Sequence, residues 1–382
     1  MQADTQQAAQ APMPDAFMRR ALRLAALGRH ASPNPMVGCV LVSGGEIVGE
    51  GWHREPGTPH AEVHALRAAG ERAGGATAYV TLEPCAHWGR TPPCADALLA
   101  ANVARVVVAM TDPDPRVSGQ GLDRLRANGM AVSVGVLEAE ARALNAAYVK
   151  HRTTGLPWVV LKTATTLDGK IATETGDSRW ITSPPARRAV HRQLRDRCDG
   201  ILTGVGTVLS DDPALTTRLT HRPGRDPWRI VVDSRLQTPL EAQVVRLASE
   251  DGRTILATVA TADAARRDAL TDHGCQILVC EADGEGRVSL PDLLRRLGTR
   301  GDMAGVLVEG GGTLAGSLLG ANLIDRWLAF LAPKVVGGRA APGPFGDLGV
   351  RRMADARAAS FRKVRRCGPD LVIDARFGPD FG

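Results

Sequence analysis

Six residues constrain this 382-residue chain more than any others: His60-Ala61-Glu62, then Pro84-Cys85, then Cys94. One imidazole and two thiols at this spacing can hold a zinc ion in three tetrahedral positions, leaving the fourth to water. To do so the chain must bring a helix start at His60 together with a strand-to-helix junction around Cys85 and Cys94. His60 and Glu62 diverge by about 200° on a regular helix. A ligand at the very first turn can still point out of the helix end while the carboxylate reaches the same pocket from the side. A closed structural site is the alternative, and it needs a fourth protein ligand; His53, His64 and His87 are the nearby candidates.

The pattern of elements around these residues is layered α/β. Asp15 to Arg29 carries apolar residues at helical spacing, and Gly44-Gly45 separates two strand-like runs, a hairpin signal. A helix from His60 to Ala69, a strand from Thr77 to Leu82 and a helix from Pro92 to Ala101 follow. A strand at Arg105 to Met110, a helix at Gly121 to Ala127, a strand at Val132 to Val136 and a helix at Glu138 to Lys150 complete the first half. Such alternation predicts a sheet with helices on both faces. Length favours two domains. The expected division is a tail over 1–14, a first domain over 15–150, a Gly/Pro-punctuated linker over 151–157 and a second domain over 158–382.

The second half alternates too. Strands are expected at Trp158 to Ala164, Ile201 to Thr203, Ile230 to Asp233, Thr254 to Val259 and Val306 to Glu309. Helices are expected at Pro184 to Arg197, Ala262 to His273, Leu290 to Leu297 and Leu314 to Leu319. No G-x-G-x-x-G follows its first strand, which excludes that dinucleotide fingerprint. Gly310-Gly311-Gly312 lies between a strand and a helix, where bare backbone N–H groups make an anion site.

Composition narrows the partners. The net charge is +6 and aromatic residues are only 4% of the chain, so the stacking platform of a single-strand nucleic-acid binder is poorly supplied. No apolar run reaches membrane-spanning length. The seven cysteines do not form a disulfide framework in so long a chain, and a reducing, cytoplasmic setting is expected.

A zinc site with one open position, next to a carboxylate that is not a ligand, is the arrangement of nucleobase deaminases. Glu62 is then the general acid and base. The first half, through SPNPMVGCV, GEGWH, PHAEVHAL and TLEPCAHWGRTPPC, resembles the deaminase domain of the bifunctional riboflavin-biosynthesis deaminase/reductase family. The second half, through LKTATTLDGKIAT, SRWITS, TGVGTVLSDDPALTTR, RIVVDS and VEGGGTLAGSLL, resembles the reductase domain of the same family. Together the motifs span about residues 15 to 380.

The resemblance implies a cytidine-deaminase-like three-layer domain followed by a dihydrofolate-reductase-like domain, with Zn²⁺ and NADPH as cofactors. It implies deaminase substrate contacts at Asn34, His53, His87 and Arg90. It implies NADPH contacts at Ala164, Trp180, Thr207, Asp211, Ser234 and the run Gly311, Gly312, Thr313, Leu314, Ala315, Gly316 and Ser317. Reductase substrate contacts are implied at Lys162, Ser178, Arg195, Leu215, Arg218 and Glu309. On the residues alone, Asn34 can be a turn residue, Arg90 a loop charge, Trp180 a core aromatic and Arg195 part of a solvated arginine face. The family implies small phosphorylated pyrimidines as substrates and a homo-oligomer. An enzyme acting on a base within RNA, and a non-catalytic zinc-stabilised binding module, are the rival readings.

Overall fold

The computed structural model describes residues 14–88 and 92–377. These residues divide into two compact units between Thr153 and Thr154. No helix among them is long and apolar enough to cross a membrane.

The first unit runs α1 (Pro14–Ala25), β1 (Gly38–Ser43), β2 (Glu46–Trp52), α2 (Ala61–Ala69), β3 (Thr77–Val80), α3 (Cys94–Ala100), β4 (Arg105–Val108), α4 (Gln120–Ala127), β5 (Ala131–Val134), α5 (Glu138–Leu144) and α6 (Ala146–Thr154). Its sheet has the order β2-β1-β3-β4-β5, with β1 antiparallel to β2 and β3 and the rest parallel. The hairpin turns at Gly44 and Gly45, both at positive φ (59° and 84°), which glycine adopts without strain.

Alternation along the strands makes three layers. Cys39 and Leu41 of β1 pack with Ala61, Ala65, Leu98 and Leu125 from α2, α3 and α4. Val40 and Val42 face the other way, onto Phe17, Met18, Ala141 and Val149 from α1, α5 and α6. Helix α2 lies unusually close to β2. A Cβ at Gly51 would stand 2.3 Å from the Ala61 carbonyl and 2.6 Å from the Ala65 nitrogen. Glycine in the strand and alanine in the helix therefore set how near the start of α2, which carries the zinc-binding motif, comes to the sheet.

Two expectations fail here. The helix expected over Glu138 to Lys150 breaks at Asn145, whose buried side chain accepts from Met36 N (2.8 Å) and donates to Met36 O (2.9 Å). An amide that pairs with a distant backbone in this way ends one helix and starts the next. The linker expected over 151–157 also fails: His151 to Thr154 are the last turn of α6, and the break comes at Gly155, with φ +72°.

The second unit has β6 (Trp158–Thr166), α7 (Pro184–Val190), β7 (Gly200–Gly204), α8 (Val205–Asp211), β8 (Trp228–Val232), α9 (Gln243–Asp251), β9 (Thr254–Val259), α10 (Ala264–Asp272), β10 (Gln276–Cys280), α11 (Leu290–Thr299), β11 (Gly305–Val308), α12 (Gly312–Gly320), β12 (Arg326–Ala332), β13 (Ser360–Cys367) and β14 (Asp370–Arg376). Nine strands form one sheet in the order β10-β9-β8-β7-β11-β6-β12-β14-β13, parallel from β10 through β12 and antiparallel beyond. Its two faces again take alternate residues: Leu202, Ile230 and Val306 pack with α11 and α12, while Ile201, Val231 and Leu307 pack with α9 and α10. Four strands go unforeseen: β10, β12, β13 and β14. The helix expected over Pro184 to Arg197 is α only to Val190; His191–Arg195 form a π turn.

Candidate active sites

In the first unit the three expected zinc ligands converge. The ligand atoms of His60, Cys85 and Cys94 all lie within 4.8 Å of one another, and no fourth His, Cys, Asp or Glu among the described residues joins them. His60 Nδ1 stands 3.2 Å from Cys94 Sγ and 3.6 Å from Cys85 Sγ. Donors tetrahedrally bound to one zinc stand about 3.6 Å apart for bonds of 2.0–2.3 Å, so the set fits this ion. His60 is the residue before α2, in extended conformation, and Cys94 opens α3. His60 and Cys94 thus come from helix starts, with Cys85 on the segment that precedes α3. The Cys94 backbone N–H donates to Cys85 Sγ at 3.3 Å.

The electrostatics suit metal ligation. Hydrogen bonding from the Cys94 thiol, against the cost of burial and with help from His60, holds the Cys85 thiol down at about 4. The Cys94 thiol is pushed up by that same bond to Cys85 and by burial. Glu62, in the first turn of α2, is 3% exposed, and burial together with the Cys85 charge pushes its carboxyl up to about 7. A carboxyl held there can accept and return a proton near neutral pH.

His60, Glu62 and Cys85 open on a cavity of about 490 Å³ that Asn34, His53 and His87 also line. His53 is buried; its Nε2 is 3.1 Å from Asn34 Nδ2 and its ring packs edge-on against His60, with centroids 5.4 Å apart. Burial lowers the His53 pKa. His53 and His64 stand outside the ligand cluster, and so does His87, which leaves the site with three protein donors among the described residues. Arg90 lies outside the described residues.

Glu83, Asp112, Asp114, Arg116, Tyr148 and Arg152, which were not anticipated, line the same cavity. Glu83 is buried, and its carboxylate accepts from the backbone N–H groups of Asp112 (3.1 Å), Gly119 (3.0 Å) and Gly121 (2.8 Å). It thereby fixes the loop after β4 against the Pro84-Cys85 segment. Gly121 allows this: a Cβ there would be 1.8 Å from the Pro84 carbonyl. The TLEP motif was the only available signal.

The second unit gathers its charges where the strand order reverses. Strand β6 comes first in sequence; β7 to β10 extend to one side of it, β12 to the other, and β11 inserts beside it. Ligands of open α/β sheets bind at such switch points. Lys162 projects from β6, with its Nζ 3.8 Å from Glu309 Oε2. Arg195 clamps the same carboxylate (Nε–Oε1 2.8 Å, Nη2–Oε2 3.1 Å) and donates to Thr216 O at 2.9 Å. Arg195 is therefore not on a solvated face; its side chain is 11% exposed. Burial would raise the Glu309 pKa, but the Arg195 and Lys162 charges outweigh it and hold the carboxyl at about 2. Burial lowers the Lys162 pKa against the pull of Glu309.

His191, unforeseen, accepts the Arg218 backbone N–H at Nδ1 (3.1 Å); burial and the Arg195 and Arg218 charges push it down to about 4. Leu215 is buried at positive φ in the same loop, and Ser178 is half-buried.

The residues expected to hold NADPH are spread along the ends of β6, β7, β8 and β11. Helix α12 begins at Gly312 with Gly311 as its cap, and a Cβ at Gly311 would meet only open space. Thr203 Oγ1 at the end of β7 and Asp233 Oδ1 after β8 are buried without hydrogen-bond partners among the described residues. Unpartnered polar groups along these strand ends suit a polar, extended ligand, and the helix start suits an anionic group on it. Thr207 and Asp211 lie on α8, and Asp211 is 3.7 Å from Arg179. Ser234 Oγ accepts from Val288 N at 3.0 Å. Thr313, Leu314 and Ser317 are at least partly open and Ala164 is half-buried. Ala315 is buried in the core, and a Cβ at Gly316 would meet Gly346 N at 3.0 Å, so these two serve packing. Trp180 is not a core aromatic: it is 62% exposed, with the Arg187 guanidinium 4.3 Å over its ring.

Comparison with known proteins agrees with both halves. Residues 13–110 match the cytidine and deoxycytidylate deaminase zinc-binding region, and residues 157–373 match the RibD C-terminal domain. The riboflavin biosynthesis protein RibD of Escherichia coli strain K12 is 46% identical over 370 residues, covering 94% of this chain and 97% of that protein. The RibD protein of Aquifex aeolicus is 43% identical over 358 residues, covering 94% and 96%. Among solved structures, Acinetobacter baumannii RibD superposes with a TM-score of 0.86 at 37% identity over 96% of this chain and 99% of that one. A Thermotoga maritima diaminohydroxyphosphoribosylaminopyrimidine deaminase/5-amino-6-(5-phosphoribosylamino)uracil reductase gives 0.83 at 34% identity over 95% and 98%. A three-donor zinc site and a charged sheet switch point, joined in one chain with these likenesses over nearly its whole length, make it a member of the RibD family of bifunctional riboflavin-biosynthesis deaminases/reductases.

Proposed function

We propose that the first unit hydrolytically deaminates 2,5-diamino-6-(5-phosphoribosylamino)pyrimidin-4-one and that the second reduces the resulting ribosyl side chain with NADPH to give 5-amino-6-(5-phosphoribitylamino)uracil. The observation that carries the deaminase half is the convergence of three donors, rather than four, beside a buried carboxyl. Zinc held by His60, Cys85 and Cys94 supplies the Lewis acidity that makes water a nucleophile at neutral pH. Glu62 takes one proton from the attacking water and delivers it to the ring nitrogen, then carries the remaining hydroxyl proton to the amino group. The C–N bond breaks as the carbonyl double bond forms, and ammonia leaves. Asn34, with a donor and an acceptor on one amide, reads the pyrimidine edge, and His53 and His87 border the ring. Arg90 is assigned to the phosphate.

In the reductase half NADPH supplies the hydride. The ribosyl C1′ receives it as the bond to the ring oxygen opens, and that oxygen gains a proton. Lys162 orients the sugar oxygens, and Glu309, gripped by Arg195, fixes the lysine. Arg218, Ser178 and Leu215 complete the substrate side. The cofactor is assigned to Ala164, Trp180, Thr207, Asp211, Ser234 and the segment Gly311 to Ser317, with Ala315 and Gly316 acting through backbone and packing. The division of labour follows the two units.

A cytoplasmic homo-oligomer is part of the same reading. All seven cysteines are free, and the terminal strand β13 leaves Phe361 and Val364 exposed (72% and 56%) at an open sheet edge that a second copy can cover. The decisive experiment incubates the purified protein anaerobically with the diaminopyrimidine nucleotide, following ammonia release and NADPH oxidation separately. Ammonia without NADPH, and NADPH oxidation only after ammonia, is the expected order. NADPH oxidation with no ammonia release overturns the reading of the first unit.

A further inference from the structure

The deaminase cavity has a charged wall that the roles above leave unused. Asp114, 6% exposed, holds Arg116 through paired bonds (Nε–Oδ1 2.9 Å, Nη2–Oδ2 2.6 Å). From α6, Arg152 brings its Nη1 to 3.9 Å from the same Oδ2. Beside them Tyr148 Oη donates to both oxygens of Asp112 (3.2 Å each), and the Arg152 guanidinium lies 5.3 Å over the Tyr148 ring. All five residues line the cavity that holds His60 and Glu62.

One carboxylate is thus shared by two guanidinium groups, while Asp112 beside it accepts from Tyr148 Oη and the Asp114 backbone N–H. Arg152 Nε is also buried with no hydrogen-bond partner among the described residues. A donor desolvated in this way is costly unless something accepts from it. The described residues supply no acceptor, whereas a ligand reaching this wall can. Arg152 Nε and the N–H groups of Arg116 that Asp114 does not take are suited to a tetrahedral oxyanion, and Arg116 is 75% exposed.

We propose that Arg152 and Arg116, steadied by Asp114, receive the phosphate of the deaminase substrate and so make this unit selective for the phosphorylated nucleotide. The proposal rests on the deaminase reading and adds a second phosphate contact to the one assigned to Arg90. Asp114 and Tyr148 act as positioning residues for the two arginines.

The test measures ammonia release from the diaminopyrimidine nucleotide and from its dephosphorylated nucleoside, in wild type, Arg152→Ala and Arg116→Ala. Zinc content and reductase turnover report folding. The expected result is a KM raised about tenfold or more for the nucleotide in each variant, with kcat within about twofold. The nucleoside KM, already high in wild type, stays unchanged. Inorganic phosphate should inhibit the wild type competitively against the nucleotide and inhibit Arg116→Ala about tenfold less well. Equal losses on nucleotide and nucleoside, or unchanged nucleotide KM in both variants, overturn the proposal. Should Arg152→Ala lose zinc, Arg152→Lys and the loop variant Arg116→Ala decide by the same comparison. A zinc-loaded wild type that releases ammonia from neither compound overturns the deaminase reading, and this proposal with it.

Discussion

Arg195 grips Glu309 through two parallel hydrogen bonds of 2.8 and 3.1 Å, while Lys162 approaches the same carboxylate to 3.8 Å. One anion thereby organises two cations from separate elements, and all three side chains are less than a fifth exposed. Glu309→Gln removes the charge and keeps the shape. It leaves Arg195 and Lys162 mutually repelling at about 2–4 kcal/mol of lost stability in the reductase unit. NADPH oxidation with the deaminated nucleotide should fall by at least about a hundredfold, the equivalent of roughly 2.7 kcal/mol in the barrier. Ammonia release from the diamino nucleotide should stay within about twofold. Loss of both activities together would show a general folding defect instead.

The same carboxylate sets an acid limit. Its folded pKa of about 2 lies below the ordinary value near 4.3, so Glu309 adds stability above the unfolded pKa and loses it as pH falls towards 2. Two pH units correspond to about 3 kcal/mol. Urea unfolding of wild type and Glu309→Gln should therefore differ most near pH 6–7 and converge between about pH 4.3 and pH 2. A gap that stays constant across that range would remove the Glu309 charge from the account.

Glu62→Gln separates metal binding from proton transfer. The three donors remain, so zinc content should match wild type. Ammonia release should drop about 10²- to 10⁴-fold, the usual worth of a positioned acid–base group. Removing the zinc with a chelator should abolish the same activity and leave reduction of the deaminated nucleotide intact, because the reductase residues lie in the other unit. A Glu62→Gln enzyme that still releases ammonia at the wild-type rate takes Glu62 out of the mechanism.

The convergence of His60, Cys85 and Cys94, with Glu62 in the same cavity, was legible because the expected chemistry needs fixed residue types at fixed spacing. Glu83, Tyr148, Arg152 and His191 were not. Each is a single residue of a common type, and its significance comes from a partner far away in sequence: 36 residues separate Tyr148 from Asp112 and 27 separate His191 from Arg218. The three-layer arrangement of the first unit followed from alternation on β1 and helical spacing on α1. Strand β12, with the sequence RWLAFLA, is an apolar run whose period cannot be told from a buried helix. Strand β13, with four basic residues among eight and most of its side chains in solvent, shows no alternation at all. Asn145 split a helix that propensity alone joins, because its amide finds both backbone groups of Met36.

Glu83 offers a test of loop positioning. Its carboxylate serves three or more backbone donors in a buried setting, a task a single amide oxygen cannot fulfil. Glu83→Gln also introduces an NH₂ facing those same N–H groups. About 2–4 kcal/mol of stability should be lost from the deaminase unit. The nucleotide KM should rise, since Asp112, Asp114 and Arg116 ride on the released loop, while zinc content persists. An unchanged KM with the stability loss would confine Glu83 to a folding role.

Arg229 presents the opposite case, a buried cation with no place in either site. Its side chain is fully buried on β8; Nε donates to Thr254 Oγ1 at 2.8 Å, Nη2 reaches Asp251, and Nη1 has no partner among the described residues. Asp251 is about one-third exposed, so it can return to water when its partner is lost. Arg229→Met fills much of the same volume with apolar atoms and removes the cost of burying a guanidinium, so stability should change by less than about 1 kcal/mol or rise. Arg229→Ala leaves a cavity between β8 and α9 and should cost about 3–5 kcal/mol. Urea unfolding monitored alongside NADPH oxidation distinguishes the two accounts. If methionine destabilises as much as alanine, the ion pair itself stabilises the unit; if only alanine does, the volume does.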